Sequence, residues 1–303
     1  MSSIVAVGSL AFDSIETPFG SVGKILGGSA NHFSISASYF SPVRCISVVG
    51  EDYPQDHLEY LKSRKVDISG VKISKGKTFH WSGKYDYELH EATTLETHLN
   101  VFEHFSPEVP ESYKDSEFLF LGNIFPALQE DVLNKLPKTK FAAIDTMNFW
   151  IQSQKEALLK VISKVNCLII NEGELRQLTQ THNVVKAASM IQNVGPELIV
   201  VKRGEYGALL FDKGETFSLP GLPLSEVKDP TGAGDSFAGG FMGYLAAQGQ
   251  STPTHAALRN AVVYGSVMAS FIVEDFGCNQ LLRISRDKIE QRFKQFRDLT
   301  FFH

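Results

Sequence analysis

The chain has 303 residues, 43% of them hydrophobic, and a formal net charge of −5. No Lys/Arg-rich run offers an electrostatic footprint for nucleic acid and no apolar run approaches membrane-spanning length, which excludes both partners. The length admits one large α/β domain or two small ones, and the lack of a linker, repeat or low-complexity tract favours a single domain over residues 1–303.

From the N-terminus, residues 1–10 are apolar but lack a basic n-region and a small-residue cleavage site, so they read as a first strand at 4–8 and not as a signal peptide. Further apolar runs of strand length lie at 45–49, 118–121, 142–145, 167–170 and 199–202. Amphipathic segments of helical period alternate with them at 31–40, 55–63, 129–136, 155–163, 186–193, 236–247 and 254–273. That alternation predicts an α/β, three-layer αβα sandwich with a mostly parallel central sheet, whose ligands bind at the carboxyl ends of the strands.

Residues 78–89 break the pattern. Phe79, Trp81, Gly83, Tyr85 and Tyr87 alternate with His80, Ser82, Lys84, Asp86 and Glu88, a period-two strand with one aromatic face. Helix-covered sheets want continuous Val/Ile runs, so this strand suits a small sheet with one wet side, and residues 95–102 can pair with it. On residues alone an ordinary hairpin explains it equally well. Cys45, Cys167 and Cys278 have no paired spacing for zinc, redox chemistry or disulfides, which fits a reducing, cytoplasmic setting. His80, His90, His98 and His104 are scattered without metal-ligand spacing and read as surface residues.

The most informative stretch is Asp229-Pro230-Thr231-Gly232-Ala233-Gly234-Asp235, followed at once by a helix. Glycines let the backbone turn sharply and present successive N–H groups to a phosphate, and the positive end of the helix dipole points the same way. A carboxylate at Asp235 would repel a bound phosphate, yet it suits the task of taking the proton of an attacking hydroxyl. Taken alone, the string also serves as a tight strand-to-helix connection.

Residues 229–241 nevertheless resemble, almost residue for residue, the C-terminal signature of the ribokinase-like (PfkB) carbohydrate kinase family, and Gly27-Gly28-Ser29-Ala30-Asn31 resembles its N-terminal glycine motif. The resemblance implies a ribokinase-like domain with a small β-sheet lid formed by about 11–26 and 72–103, which in the family often makes a dimer contact. It implies that Gly232, Ala233 and Gly234 cradle the transferred phosphoryl group while Asp235 acts as base. Asp13, which also reads as a turn aspartate, matches the family's sugar-binding position after the first strand; with Gly27, Gly28, Asn31 and Trp81 it forms the implied acceptor site.

Asn171-Glu172-Gly173-Glu174 resembles the family's Asn-x-x-Glu motif, which orders magnesium-bound water through Asn171 and Glu174, although the pair is also a common helix cap. Lys202, Gly204 and Gly207 fall beside the nucleotide in that scheme, with Lys202 where the family often has Thr. Phe276 and Gly277 border the adenine. Asp229 and Thr231 are the candidates for a monovalent cation such as K⁺.

Other site classes fail on the letters. Gly76-Lys77-Thr78 has the end of a P-loop, but Val71 stands where its first glycine belongs, and residues 8–13 lack the Gly-x-Gly-x-x-Gly of a dinucleotide site. The expectation is an ATP- and Mg²⁺-dependent kinase for a hydroxymethyl group of a sugar. The alternatives are a nucleoside kinase of the adenosine kinase type and a non-catalytic sugar- or nucleotide-binding member of the fold.

Overall fold

A computed structural model describes residues 2–89, 91–249 and 252–301; His90 lies outside the described residues. The strand runs anticipated from continuous apolar sequence pair side by side. They are β1 (Ile4–Val7), β4 (Val43–Gly50), β8 (Phe118–Leu121), β9 (Phe141–Ile144), β10 (Cys167–Asn171) and β11 (Leu198–Lys202), all parallel, with β5 (Val66–Ser74) added beyond β4. An antiparallel hairpin, β12 (Ala208–Asp212) and β13 (Glu215–Leu219), completes the order β13-β12-β11-β10-β9-β8-β1-β4-β5. Strands with apolar side chains on both faces need covering on both.

One face packs on α1 (Ser29–Ser38), α2 (Gln55–Ser63), α8 (Ala233–Gln248), α9 (His255–Ile272), α10 (Asn279–Arg283) and α11 (Arg286–Thr300). The other carries α3 (Pro126–Lys135), α5 (Lys155–Ile162), α6 (Glu172–Thr179) and α7 (Val184–Gln192), with the short α4 (Asn148–Ser153) after β9.

A second sheet stands over the carboxyl ends of these strands. It comprises β2 (Ala11–Thr17), β3 (Gly20–Gly27), β6 (His80–Tyr85) and β7 (Ala92–His98), in the order β3-β2-β6-β7. Its β2 and β6 run parallel, so Asp13 and Trp81 are register partners and share one face.

Three boundaries differ from expectation. Residues 72–74 belong to β5 of the large sheet, and the stretch after His98 turns into a 3₁₀ helix at Asn100–His104 instead of continuing a strand. Helix α8 begins at Ala233, so Gly234 and Asp235 lie inside its first turn. Strands β5, β12 and β13 and helices α4, α10 and α11 are additions to the elements read from sequence; β2 and β3 fall in the 11–26 part of the lid that only the resemblance implied, and α6 starts at the Asn171 and Glu174 pair.

Candidate active site

Gly232 caps α8 with φ 77°, the left-handed region that favours glycine. A Cβ there would come within 2.5–2.6 Å of the His32 ring, which lies under the turn. The amide of Ala233 is spent on the Pro230 carbonyl at 3.1 Å, and the first bond of the helix proper runs from Ser236 N–H to Gly232 O at 2.9 Å. Among the described residues the Gly232, Gly234 and Asp235 amides make no such bond and are left for an anion, so of the three residues expected from sequence only Ala233 has its amide engaged. The Asp235 side chain makes no hydrogen bond or ion pair among the described residues.

Lys202 neither faces solvent nor stands alone. Its Nζ lies 3.3 and 3.2 Å from the two Asp145 oxygens and would be 2.7 Å from a Cβ on Gly234, which places an ammonium at the edge of the cradle. Burial draws the Lys202 pKa down, but Asp145, Glu174 and Asp235 more than reverse this and hold it charged. Burial, then the Asp145 charge, pushes Asp235 above the ordinary carboxylate range, while Lys202 draws it back. Base and cation are thus tuned against each other across two strands and a helix.

Asp13 is buried, and burial, then Asp229 and Asp235, raise its pKa from an ordinary 3.8 to about 7, with the Gly28 amide hydrogen-bonded to its carboxylate. A side chain at Gly27 would overlap that carboxylate, which explains the glycine. Asn31 is wholly buried; its Oδ1 accepts from His57 Nε2 at 2.7 Å, and its Nδ2 has no hydrogen-bond partner. Burial depresses His57 to about 4, so the ring is neutral and donates. A carboxylate and a free amide N–H offer an acceptor and a donor to vicinal hydroxyls.

Folded Asp13 binds its proton more tightly than unfolded Asp, so its contribution to stability is full below about pH 4 and lost as pH rises through about 7. Asp13→Asn should therefore match the wild type in thermal melts near pH 4 and melt higher than it at pH 8; equal melting at both pH values would count against a raised Asp13.

The aromatic strand ends at Tyr85, and Tyr87 falls in the turn beyond it. Tyr85 is buried and its hydroxyl meets Thr231 Oγ1 at 3.1 Å, while Tyr87 is 79% exposed. Trp81 folds across Gly83 on the Asp13 face, its Nε1 donating to Thr94 Oγ1 at 3.2 Å.

Asn171 and Glu174 form a reciprocal cap on α6. Asn171 N–H donates to Glu174 Oε2 at 3.0 Å, and Glu174 N–H to Asn171 Oδ1 at 2.7 Å. One Glu174 oxygen stays outside this cap, and burial raises the carboxyl above its usual range against the pull of Lys202. Gly204 and Gly207 bracket a 3₁₀ turn after β11, with Arg203 N–H donating to Gly207 O at 2.8 Å.

Asp229 is wholly buried, accepting from Thr231 N–H at 2.8 Å and Gly277 N–H at 3.0 Å. The sequence placed Phe276 and Gly277 by the adenine; the structure sets the Phe276 ring against Gly20 of β3 and Gly277 against Ile25. Asp145, His32 and His57 were given no role from sequence, and Tyr85 was read only as part of the aromatic face. Of the first three only Asp145 carried a signal, an acidic residue at the carboxyl end of an apolar parallel strand.

An uncommitted carboxylate beside free helix amides and a held ammonium is an arrangement that suits transfer of a phosphoryl group to an alcohol. The family described as pfkB family carbohydrate kinase matches residues 1–284. A cytidine kinase of Thermococcus kodakarensis is 32% identical over 251 residues, covering 80% of this chain and 88% of that protein. The crystal structure of Methanocaldococcus jannaschii nucleoside kinase, an archaeal member of the ribokinase family, superposes with a TM-score of 0.78 at 22% identity, covering 97% of this chain and 99% of that one. Thermotoga maritima ribokinase does so with a TM-score of 0.76 at 21% identity, covering 97% and 100%. The chain belongs to the pfkB family of carbohydrate kinases and has the ribokinase-like fold; the family implies ATP as phosphoryl donor, generally with Mg²⁺.

Proposed function

We propose that this kinase phosphorylates the hydroxymethyl group of a nucleoside's ribose, with cytidine the first acceptor to test. The observation that carries the phosphotransferase part is the unpaired Asp235 carboxylate in the first turn of α8, next to the Gly234 amide and Lys202. The 32% identity to a cytidine kinase favours a nucleoside over a free sugar.

In this reading Asp13 and Asn31 hold the ribose hydroxyls. Asp235 takes the proton as the acceptor oxygen bonds to the γ-phosphorus; the bond to ADP breaks and its electron pair leaves on the β-phosphate oxygen. The Gly234 and Asp235 amides and Lys202 stabilise charge on the transferred group. Gly204 and Gly207 support the nucleotide end.

No group of three or more metal-ligating side chains occurs among the described residues, which fits a metal held largely by phosphates and water. The free Glu174 oxygen and Asn171 would order that water. Magnesium supplies neutralisation of the phosphate charge. Asp229 is a buried carboxylate with hydrogen bonds but, among the described residues, no cationic side chain bonded to it, a setting that suits a monovalent cation, and potassium titration of turnover tests it.

The small sheet acts as a lid, with Trp81 over the acceptor, and its outer edge is the candidate dimer contact. ADP release measured with ribose, fructose, adenosine, inosine and cytidine tests the reading. A nucleoside should be turned over with a higher kcat/KM than either sugar, and Trp81→Ala should raise the acceptor KM more than that for ATP. Faster turnover of a free sugar would overturn the nucleoside reading; no turnover with any acceptor would favour a binding module.

A further inference from the structure

His57 has no part in the mechanism above, yet it makes the bond that holds Asn31. Its ring lies on α2, only 6% exposed, and Nε2 stands 2.7 Å from Asn31 Oδ1. Two tyrosines near it in the chain confine it. Tyr53 meets the ring edge-on with 5.9 Å between centroids, and Tyr60 stacks on it at 6.0 Å with the planes 14° apart. The backbone is held as well, His57 N–H donating to Pro54 O at 3.1 Å. A ring packed on two sides and anchored at its backbone presents Nε2 in one direction.

The sense of that bond decides what Asn31 offers a ligand. Asparagine carries an acceptor on one arm of its amide and donors on the other, and a neutral histidine donates or accepts according to which nitrogen holds the proton. With the proton on Nε2, Oδ1 is satisfied and Nδ2, wholly buried and without a hydrogen-bond partner, is the arm left over. In the reverse sense the arm left over would be Oδ1. That oxygen would join the Asp13 carboxylate as a second acceptor with no donor beside it. The two groups do face common space: the Cys278 thiol, pushed up to about 11 chiefly by burial, is drawn back by the Asn31 amide and raised by the Asp13 charge.

We infer that His57 is a positioning residue for the acceptor: it fixes the Asn31 amide with its NH₂ arm toward the acceptor hydroxyls, so that Asp13 and Asn31 present an acceptor and a donor side by side. This rests on the placing of Asn31 at the acceptor, and it holds for a nucleoside or a sugar alike. Without the ring's proton the amide is free to turn, and one of its two orientations sets oxygen where the N–H is needed. The cost falls on binding the acceptor and not on the chemical step, because the bond ends on Asn31 and not on Asp235 or the turn at 232–235.

The test measures ADP release by the full-length enzyme with Mg²⁺ and ATP, using whichever of cytidine and ribose the wild type turns over faster. The variants are Asn31→Ala, His57→Phe, His57→Gln and the double variant Asn31→Ala/His57→Phe. Phenylalanine keeps a ring between the tyrosines and removes the donor; glutamine keeps an N–H near the place of Nε2. His57→Phe should raise the acceptor KM by roughly 5- to 150-fold, the range for a buried hydrogen-bonding group left unpaired, with kcat and the KM for ATP within a few-fold of wild type. His57→Gln should recover most of the affinity, and in the Asn31→Ala background His57→Phe should cost nothing more. An acceptor KM for His57→Phe equal to that of the wild type, or a penalty that persists without Asn31, would overturn the positioning role and leave Asn31 at the acceptor. An unchanged KM in Asn31→Ala would overturn both. The ¹⁵N shifts of the wild-type imidazole give a readout that no variant's folding affects: at neutral pH His57 should be the Nε2–H tautomer, and the Nδ1–H tautomer would overturn the inference.

Discussion

Asp235→Asn should lower kcat by about 10²- to 10⁴-fold while ATP affinity changes little, because the amide keeps the size of the side chain and the helix amides but cannot take a proton. The side chain's lack of any hydrogen bond or ion pair among the described residues makes this a clean substitution. Nothing in the fold is unfastened by it, and because burial raises the Asp235 pKa the variant should melt no lower than the wild type at neutral pH and above. Rapid-mix kinetics with nucleotide binding measured separately would check this, and a variant within a few-fold of wild-type turnover would remove Asp235 from the role of base.

Gly232→Ala should have the largest effect on the fold of the site. The residue holds φ 77°, and its new methyl would meet the His32 ring at 2.5–2.6 Å. The left-handed backbone costs a non-glycine residue about 1–2 kcal/mol, and overpacking against a buried ring adds about 1–3 kcal/mol. The turn must shift to relieve the clash, and the Gly234 and Asp235 amides shift with it, so turnover should also fall by roughly 100-fold or more, as it does when a positioned donor is lost. His32 offers the control. Both its ring nitrogens lack hydrogen-bond partners, so His32→Ala breaks no polar contact while emptying the space under the turn. In a double-mutant cycle by denaturant unfolding the two substitutions should couple by about 1–3 kcal/mol, the pair costing less than the sum; strict additivity would show that the ring is not what confines Gly232.

The parallel strands were legible because a strand buried on both faces must be apolar throughout, as in Phe118–Leu121 and residues 167–170 of β10. The turn at 229–235 and the helix after it were legible because their parts are contiguous in the chain. What stayed hidden depends on pairings across the fold. Lys202 and Asp145 are 57 residues apart and meet only because β9, β10 and β11 lie side by side. His32 acquires its role from α8 resting on α1, which no local pattern announces. Tyr85 and Tyr87 carry the same alternation, but β6 ends at Tyr85, which meets Thr231, and Tyr87 lies in the turn beyond it and faces water. Strands β2 and β3 were expected only through the family resemblance, because Lys24, Glu16 and two glycines, Gly20 and Gly23, interrupt their alternation, and their pairing is supplied by neighbours and not by propensity.

The cap on α6 has a consequence for how this site would decay. Asn171 and Glu174 are held by two reciprocal bonds that start a helix, so a descendant that abandoned phosphoryl transfer would still be selected to keep them for its shape. Asp235 has no such second employment. Mutational drift after loss of activity would reach it first, and among distant copies of this chain the carboxylate at position 235, more than the Asn-x-x-Glu pair, would separate working kinases from inert ones.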